Sequence, residues 1–301
     1  MVARTEPTKS REQLWAEGRR YLAGTEWPAA VARAESLAAA GLASNIGWLA
    51  AAEAADAGTA DAQTARYAEV ARALGGLPGS SWLEVDTPHV GVDVSVETCV
   101  RALRTIADAL PAGRMVQVGA EDGGRAEAVL RAVLGAHRLG VPVRATVQAN
   151  LRRAAADLDR LVAAGVPVRL VKGGFRETAA TALQDRAEID TAFVRLARRV
   201  AAAGTPLSLA THDHRMWGRL LPELPGATVE LLLGVRSDEA LRLAAAGVPV
   251  RLYVPFGTAW EGYVAKRVAD AEEVARREPP AGPAGADRKT WQAREKEGVR
   301  G

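Results

Sequence analysis

One short phrase occurs three times in this chain and constrains its fold more than any other feature. The copies are GVPVRA at 140–145, and GVPVRL at 165–170 and at 247–252. Each copy follows a stretch of helical character rich in Ala, Leu and Arg, ends that stretch with glycine, and starts a run rich in β-branched residues. Repeated helix-to-strand joints of this kind predict parallel strands connected by crossover helices, because the right-handed βαβ unit returns each strand in the same direction.

Eight segments of the chain have the pattern of such a strand. One of them, at 42–48, is weak because Ala and Gly dilute its strand signal. The other seven are 82–86, 115–118, 143–147, 168–172, 207–210, 228–232 and 250–254. Their spacing, roughly 20 to 40 residues, fits one strand and one helix per unit. Eight strands predict an α/β fold, a single distorted (βα)8 barrel of the TIM type, whereas seven leave an open doubly wound sheet as the alternative.

The rest of the chain falls on either side of this barrel. We assign residues 1–40 to an N-terminal helical arm and residues 41–275 to the barrel. Residues 276–301 are rich in Pro, Gly and charge, and we predict a disordered tail there.

Composition argues against several classes of function. The chain has 34 Arg, five Lys and a net charge of +3, and its arginines are spread along helical segments, so nucleic acid binding is disfavoured. A single cysteine, Cys99, leaves neither an internal disulfide nor a cysteine-based metal site. We expect a cytoplasmic protein without a transmembrane segment, since no secretory leader and no apolar run of about 18 residues is found. Neither a GxGxxG motif after a strand nor a P-loop occurs.

Two polar segments follow predicted strands at the end where a barrel gathers its chemistry. Lys172 precedes two glycines, a position suited to binding phosphate or carboxylate, or to a Schiff-base nucleophile if the amine is desolvated. The alternative is an interior lysine paired with Glu121 or Glu230. Thr211 and His212 offer a hydroxyl and an imidazole to an anionic ligand, and no facing carboxylate cluster indicates a metal.

Two further groups of residues have open interpretations. Residues 121–124, which begin with Glu121 and read EDGG, follow the strand at 115–118; helix capping is expected there, and proton acceptance is the alternative. Tyr263, Lys266, Arg267 and Asp270 are spaced i, i+3, i+4 and i+7, so they share one face of a predicted helix. That face, placed over the barrel mouth, would clamp a carboxylate; otherwise it is solvated, with Asp270 paired to Arg267 or Lys266.

Taken in order, these segments resemble the proline dehydrogenase family, FAD-dependent distorted (βα)8 barrels that oxidise L-proline to pyrroline-5-carboxylate. The resemblance is strong from Met115 onward and faint before it. It is carried by QANL at 148–151, RLVKG at 169–173, ATHD at 210–213, LGVR at 233–236, and YVPFG at 253–257 followed by Tyr263-x-x-Lys266-Arg267-x-x-Asp270.

The resemblance implies a role for each matching residue. The implied FAD-binding residues are Gln148, Arg169, Lys172 and Gly173 near the flavin ring and ribityl phosphate, and Thr211 and His212 near the diphosphate. The implied substrate and catalytic residues are Tyr253, Tyr263, Lys266, Arg267 and Asp270. The resemblance further implies a small cyclic amino acid as substrate, a quinone or another electron acceptor, and, with a quinone, peripheral contact with a membrane.

Five departures from the family surround the implied substrate. The family's helix reads Tyr-x-x-Arg-Arg-x-x-Glu, whereas this chain has Lys266 and Asp270. The family's early-strand lysine is absent from 82–86, its acidic residue after the next strand falls on Gly119, and its tyrosine after Lys-Gly-Ala falls on Phe175. These changes predict an altered substrate or a weakened activity. They leave open a non-catalytic relative and, more distantly, a Schiff-base aldolase or lyase built on Lys172.

Overall fold

The computed structural model describes residues 9–49 and 53–277. Its strands are β1 (Ala43–Trp48), β2 (Ser81–Val85), β3 (Val116–Val118), β4 (Val143–Gln148), β5 (Val168–Val171), β6 (Leu207–Ala210), β7 (Thr228–Leu232) and β8 (Val250–Phe256). Its helices are α1 (Arg11–Gly18), α2 (Trp27–Ala39), α3 (Ala57–Ala73), α4 (Val96–Asp108), α5 (Ala126–Arg138), α6 (Ala154–Ala163), α7 (Arg186–Ala202), α8 (His214–Leu220), α9 (Ser237–Ala245) and α10 (Glu261–Arg277).

The strands close into one parallel barrel in the order β1 to β8, and β8 pairs with β1. The predicted (βα)8 fold is therefore confirmed, and the open sheet is wrong. The weak segment at 42–48 forms β1, which pairs with β8 from Ala43 to Trp48. Its strand signal is low because it carries polar residues into the barrel: the Ser44 hydroxyl donates to the Ser81 hydroxyl at 2.8 Å, and both residues are buried.

The three repeated joints have the predicted structure. The glycines at 140, 165 and 247 follow α5, α6 and α9 and have φ of 78°, 74° and 80°. These left-handed conformations let each helix end and the chain turn into β4, β5 or β8. Proline at the third position of the phrase then precedes the strand, where its missing N–H is not needed.

The described residues divide into two compact units. Residues 19–260 form the barrel, and the other unit contains α1 and α10. In the second unit Gly18 lies against Val264, since a Cβ at position 18 would come 2.1 Å from a Val264 methyl carbon. Arg11 pairs with Glu261 at 2.9 Å. Most of the predicted tail lies outside the described residues, and the boundaries at 40 and 275 stay predictions.

Candidate functional site

Two ion pairs cross the barrel interior. Arg169 of β5 donates from both terminal nitrogens to the two carboxylate oxygens of Glu84 on β2, each over 2.7 Å. Arg144 of β4 donates to Glu230 of β7 over 2.9 Å. Neither pair joins adjacent strands, so the four side chains meet inside the barrel, and all four are buried. These two pairs place compensated charge inside the barrel.

Polar neighbours complete the network around these pairs. The Arg169 Nε donates to the Thr146 hydroxyl over 3.0 Å, and the Asn45 amide donates to Glu84. Burial raises the pKa of the Glu84 carboxyl, and Arg169 opposes that shift. Burial also opposes the charge of Arg169, but the Glu84 carboxylate outweighs it and raises the pKa of the guanidinium. We take both groups as ionised, because the bidentate contact matches a guanidinium on a carboxylate.

The structure adds Glu84, the partner of Arg169, to the residues that the sequence had singled out. The resemblance implied that Arg169 contacts a flavin, and the structure commits its two terminal nitrogens to Glu84 with 8% of the residue exposed. Glu84 was not among the predicted site residues. Its only signal was a carboxylate within the buried strand WLEV, where an unpaired charge would be costly.

Lys172 lies at the carboxyl end of β5 and is held by two aspartates. Its ammonium donates to Asp190 of α7 and, over 2.8 Å, to Asp213 at the start of α8. The expected alternative partners, Glu121 and Glu230, are therefore wrong. The hydrogen bond from Arg215 lowers the pKa of the Asp213 carboxyl most, and Lys172 lowers it further. Two carboxylates are the opposite of the desolvated or cation-flanked setting that activates a Schiff-base lysine.

The loops after β4 and β5 are fitted closely together. The Gln148 amide donates to the Glu121 carbonyl over 2.7 Å, and its oxygen accepts a longer bond of 3.4 Å from the Gly174 N–H. Gly173 has φ of 129°, and a Cβ there would come 2.2 Å from the Asn150 amide oxygen. That buried oxygen has no hydrogen-bond partner among the described residues.

Thr211 and His212 continue the same rim after β6. The Thr211 hydroxyl accepts from the Asp213 N–H over 3.2 Å, and the Thr211 carbonyl accepts from the Trp217 indole over 3.0 Å. His212 accepts from the Leu232 N–H through Nε2 over 3.4 Å. The barrel therefore brings Gln148, Lys172 and these two residues to one edge, as the strand ends predicted.

Two carboxyl groups at the ends of β2 and β3 are half-buried. Burial is the main cause that raises the pKa of Asp86 to about 6 and that of Glu121 to about 9, and the negative charge of Asp86 adds to the Glu121 shift. One Glu121 oxygen is buried without a hydrogen-bond partner in the described part of the chain. The expected capping role is wrong, because α5 begins after Arg125 and no side chain caps it. A carboxyl with this pKa holds its proton at neutral pH, so Glu121 would donate a proton there rather than accept one as the alternative interpretation had it.

Asp86 also bears on the departure at Gly119. A Cβ at position 119 would come 2.5 Å from an Asp86 carboxylate oxygen. Asp86 therefore fills the space in which a side chain at 119 would begin, and the glycine is required as long as Asp86 keeps this position.

The second set of predicted residues lies on α10. Arg267 pairs with Asp270 over 2.7 Å, and its guanidinium carbon is 5.7 Å from the centre of the Tyr263 ring. Arg267 is half-buried, whereas Lys266 and Asp270 are exposed. The pairing of Asp270 with Arg267 matches the solvated-face alternative, and a position over the barrel mouth stays a prediction.

Tyr253 and Phe175 belong to the barrel unit and differ in setting. Tyr253 lies on β8 with its ring against Gly47 of β1, where a Cβ would come 2.3 Å from the phenol oxygen. Phe175 is 41% exposed in the loop after β5. The phenol is thus held at the strand ends by close packing, while the side chain at 175 is not.

Comparison with known proteins identifies relatives of this chain. It is 29% identical over 260 residues to proline dehydrogenase 1 of Bacillus subtilis subsp. natto, an alignment that covers 84% of this chain and 86% of the relative. It is 28% identical over 280 residues to the proline dehydrogenase of Deinococcus radiodurans, covering 87% and 88% of the two chains. No family model matches the chain.

Solved structures with the same fold include two proteins named proline utilization A. The protein from Bdellovibrio bacteriovorus superposes with a TM-score of 0.76 at 14% identity over 89% of this chain, and that from Bradyrhizobium japonicum with 0.70 at 18% over 84%. This chain spans 34% and 31% of their lengths, so it corresponds to about a third of each. At these identities the likeness shows the fold.

These relatives confirm the resemblance that the sequence indicated. The chain is similar to proline dehydrogenases over most of its length, and it has the barrel that the resemblance implied.

The rim residues fit the flavin that the resemblance implies. Amide, ammonium, hydroxyl and imidazole groups stand together at the ends of β4, β5 and β6, and the Asn150 oxygen beside Gly173 is an unused buried acceptor among the described residues. A flavin ring and its diphosphate need hydrogen-bond donors and acceptors of these kinds. Arg169 and Lys172 would face the cofactor as compensated charges, since both already have carboxylate partners.

Proposed function

We propose that the protein is an FAD-dependent dehydrogenase that oxidises L-proline or a related cyclic amino acid. The observation that carries this proposal is the similarity to proline dehydrogenases over 84% of the chain. When bound, FAD would supply a hydride acceptor, its N5, for the two-electron oxidation of the substrate's ring C–N bond, with the proton of the substrate nitrogen released. The product is the imine, pyrroline-5-carboxylate if the substrate is proline. A quinone or another acceptor would then reoxidise the cofactor.

The protein's own task in this reaction is to bind and orient. We assign the cofactor to Gln148, Gly173, Lys172, Thr211 and His212 at the rim. The Asp190 and Asp213 carboxylates fix the Lys172 ammonium there and compensate its charge. Orientation of this kind can supply several kcal/mol of barrier lowering, because the reacting atoms are held together before the chemical step.

We assign the carboxylate of the substrate to the polar face of α10. Arg267 is its principal ligand, since a guanidinium can bind a carboxylate through two parallel hydrogen bonds. Asp270 orients Arg267 through the 2.7 Å ion pair, and Lys266 adds a less directional charge. Tyr253 and Tyr263 supply the aromatic surroundings.

An absorbance spectrum of the purified protein tests the proposal directly. We expect flavin bands near one equivalent per chain and their bleaching by L-proline, or by another member of a panel of cyclic amino acids, under anaerobic conditions. Absence of flavin after reconstitution with FAD would overturn it. The compensated state of Arg169 and Lys172 favours one second candidate in that case, a relative that kept the barrel and lost the chemistry.

Lys172→Met is expected to lower the flavin content at least tenfold while the protein stays folded. The substitution keeps the side-chain length but removes the cation, and Arg215 still compensates Asp213 over 2.7 Å. The measurement is the ratio of flavin to protein absorbance, with circular dichroism to verify the fold. Lys9→Met, on the other unit, is the matched control and should keep full flavin. Full flavin in Lys172→Met, together with an adduct trapped by borohydride and a carbonyl substrate, would favour the aldolase instead.

Arg267→Met is expected to weaken binding of a carboxylate ligand by roughly 2–4 kcal/mol, the cost of losing one partner of a desolvated charge pair. Titration of the flavin spectrum with proline and with a non-reactive carboxylate analogue measures this. Flavin content should stay unchanged, and Arg104→Met on the exposed surface of α4 is the control. Lys266→Arg should improve the use of proline. Equal affinity in Arg267→Met and the unaltered protein would mean that this face is only solvated surface.

A further inference from the structure

Arg169 and Glu84 form an ion pair with two hydrogen bonds inside the barrel. Each terminal guanidinium nitrogen donates to a different carboxylate oxygen over 2.7 Å, and each side chain is 10% exposed. Thr146 and Asn45 fix the two groups from the sides. Glu230 approaches Arg169 as well, over 3.7 Å, so negative charge meets the guanidinium from two directions.

A charge that is paired in this way acts weakly on its surroundings. An isolated guanidinium in a low-dielectric interior stabilises any negative charge that forms nearby, whereas a guanidinium and a carboxylate in contact form a neutral dipole whose field falls off faster with distance. The difference matters for a flavin, because its ring is neutral when oxidised and gains negative charge when reduced at neutral pH.

We propose that Glu84 is a positioning residue that neutralises Arg169 and thereby holds the reduction potential of the bound flavin low. The inference rests on the proposed function, since it requires FAD at the rim. With the Glu84 carboxylate as its partner, the Arg169 guanidinium stays inside the barrel without stabilising the negative charge of the reduced flavin. The strand segment 82–86, which lacks the family's lysine, then lowers the reduction potential of the flavin through Glu84.

The midpoint potential of the FAD-loaded protein tests this inference without using enzyme activity. In Glu84→Gln the amide keeps the size and a hydrogen bond to Arg169 but removes the nearer of its two compensating charges. We expect reduced flavin to gain at least tenfold in binding over oxidised flavin, which is about 30 mV upward for a two-electron couple. Asp157→Asn is the matched control, because Asp157 of α6 is a partly buried carboxylate paired with Arg153. This substitution should leave the potential unchanged.

A second variant covers the case in which Glu84→Gln fails to fold. The double variant Glu84→Gln with Arg169→Gln removes both charges, and its potential should equal that of the unaltered protein. A lower potential in the double variant would show that the charge of Arg169 already acts uncompensated, which overturns the inference. An unchanged potential in Glu84→Gln also overturns it while the proposed function stands. An unaltered protein that binds no FAD removes both.

Discussion

Replacing Arg169 with methionine is expected to lower the free energy of unfolding by about 3–5 kcal/mol, the range for breaking a buried ion pair by removing one partner. Methionine fills part of the volume but leaves the buried Glu84 carboxylate with the Asn45 amide as its one side-chain hydrogen-bond donor in the described part of the chain. An uncompensated carboxylate must either be desolvated as an anion or take up a proton, and both cost free energy at pH 7. Urea unfolding followed by circular dichroism at pH 7 measures the change.

Two control variants test whether the loss in free energy of unfolding comes from burial of the ion pair rather than from the number of carboxylates that the arginine contacts. Arg125 pairs with three carboxylates, those of Glu53, Asp93 and Asp122, but it lies at the surface with 26% of its side chain exposed. Arg125→Met should therefore cost no more than about 1 kcal/mol. The double variant Arg169→Met with Glu84→Gln should recover most of the loss, because no charge is then left unpaired. A cost in Arg169→Met no larger than in Arg125→Met would contradict the buried network.

The sequence predicted those features that depend on residues close together in the chain. A glycine that ends a helix and a β-branched run that follows it are neighbours in the chain, so three repeats of the phrase were enough to indicate the parallel barrel. The rim positions of Gln148, Lys172 and Thr211 followed from the same reasoning, because the carboxyl ends of parallel strands meet at one edge.

The partners of charged residues could not be predicted in the same way. Arg169 and Glu84 are 85 positions apart and belong to strands that are not neighbours, so only the closed barrel brings them together. Asp190 lies on α7, and nothing in its helical pattern distinguishes it from a solvated carboxylate. For Glu121, capping was the more frequent role of such a residue, but the helix starts one turn later than that role requires.

Glu121→Gln is expected to remove a loss of stability that the unaltered protein shows as the pH rises. The pKa of the Glu121 carboxyl is raised from 4.5 to about 9 in the folded protein. A raised carboxyl pKa means that folding favours the protonated form, so its contribution to stability is full below about pH 4.5 and declines as the pH rises to 9. One such group changes the free energy of unfolding by at most about 1.4 kcal/mol per pH unit.

The window above pH 7 isolates Glu121 from its neighbour. Asp86, with a pKa of about 6, loses its own contribution mainly below pH 7. Between pH 7 and 9 the unaltered protein should thus lose about 2 kcal/mol through Glu121, and Glu121→Gln, which carries no charge at any of these values, should lose little. Urea unfolding at pH 6, 7, 8 and 9 gives the two curves.

Glu127→Gln is the control for this comparison, because Arg153 lowers the pKa of that exposed carboxyl and leaves it ionised across the whole window. Its curve should run parallel to that of the unaltered protein. If Glu121→Gln gives the same slope as well, the Glu121 carboxyl is ionised at neutral pH and does not hold a proton at the barrel mouth. A flatter curve would instead establish Glu121 as a neutral acid beside Asp86, able to donate a hydrogen bond or a proton where the strands of the barrel end.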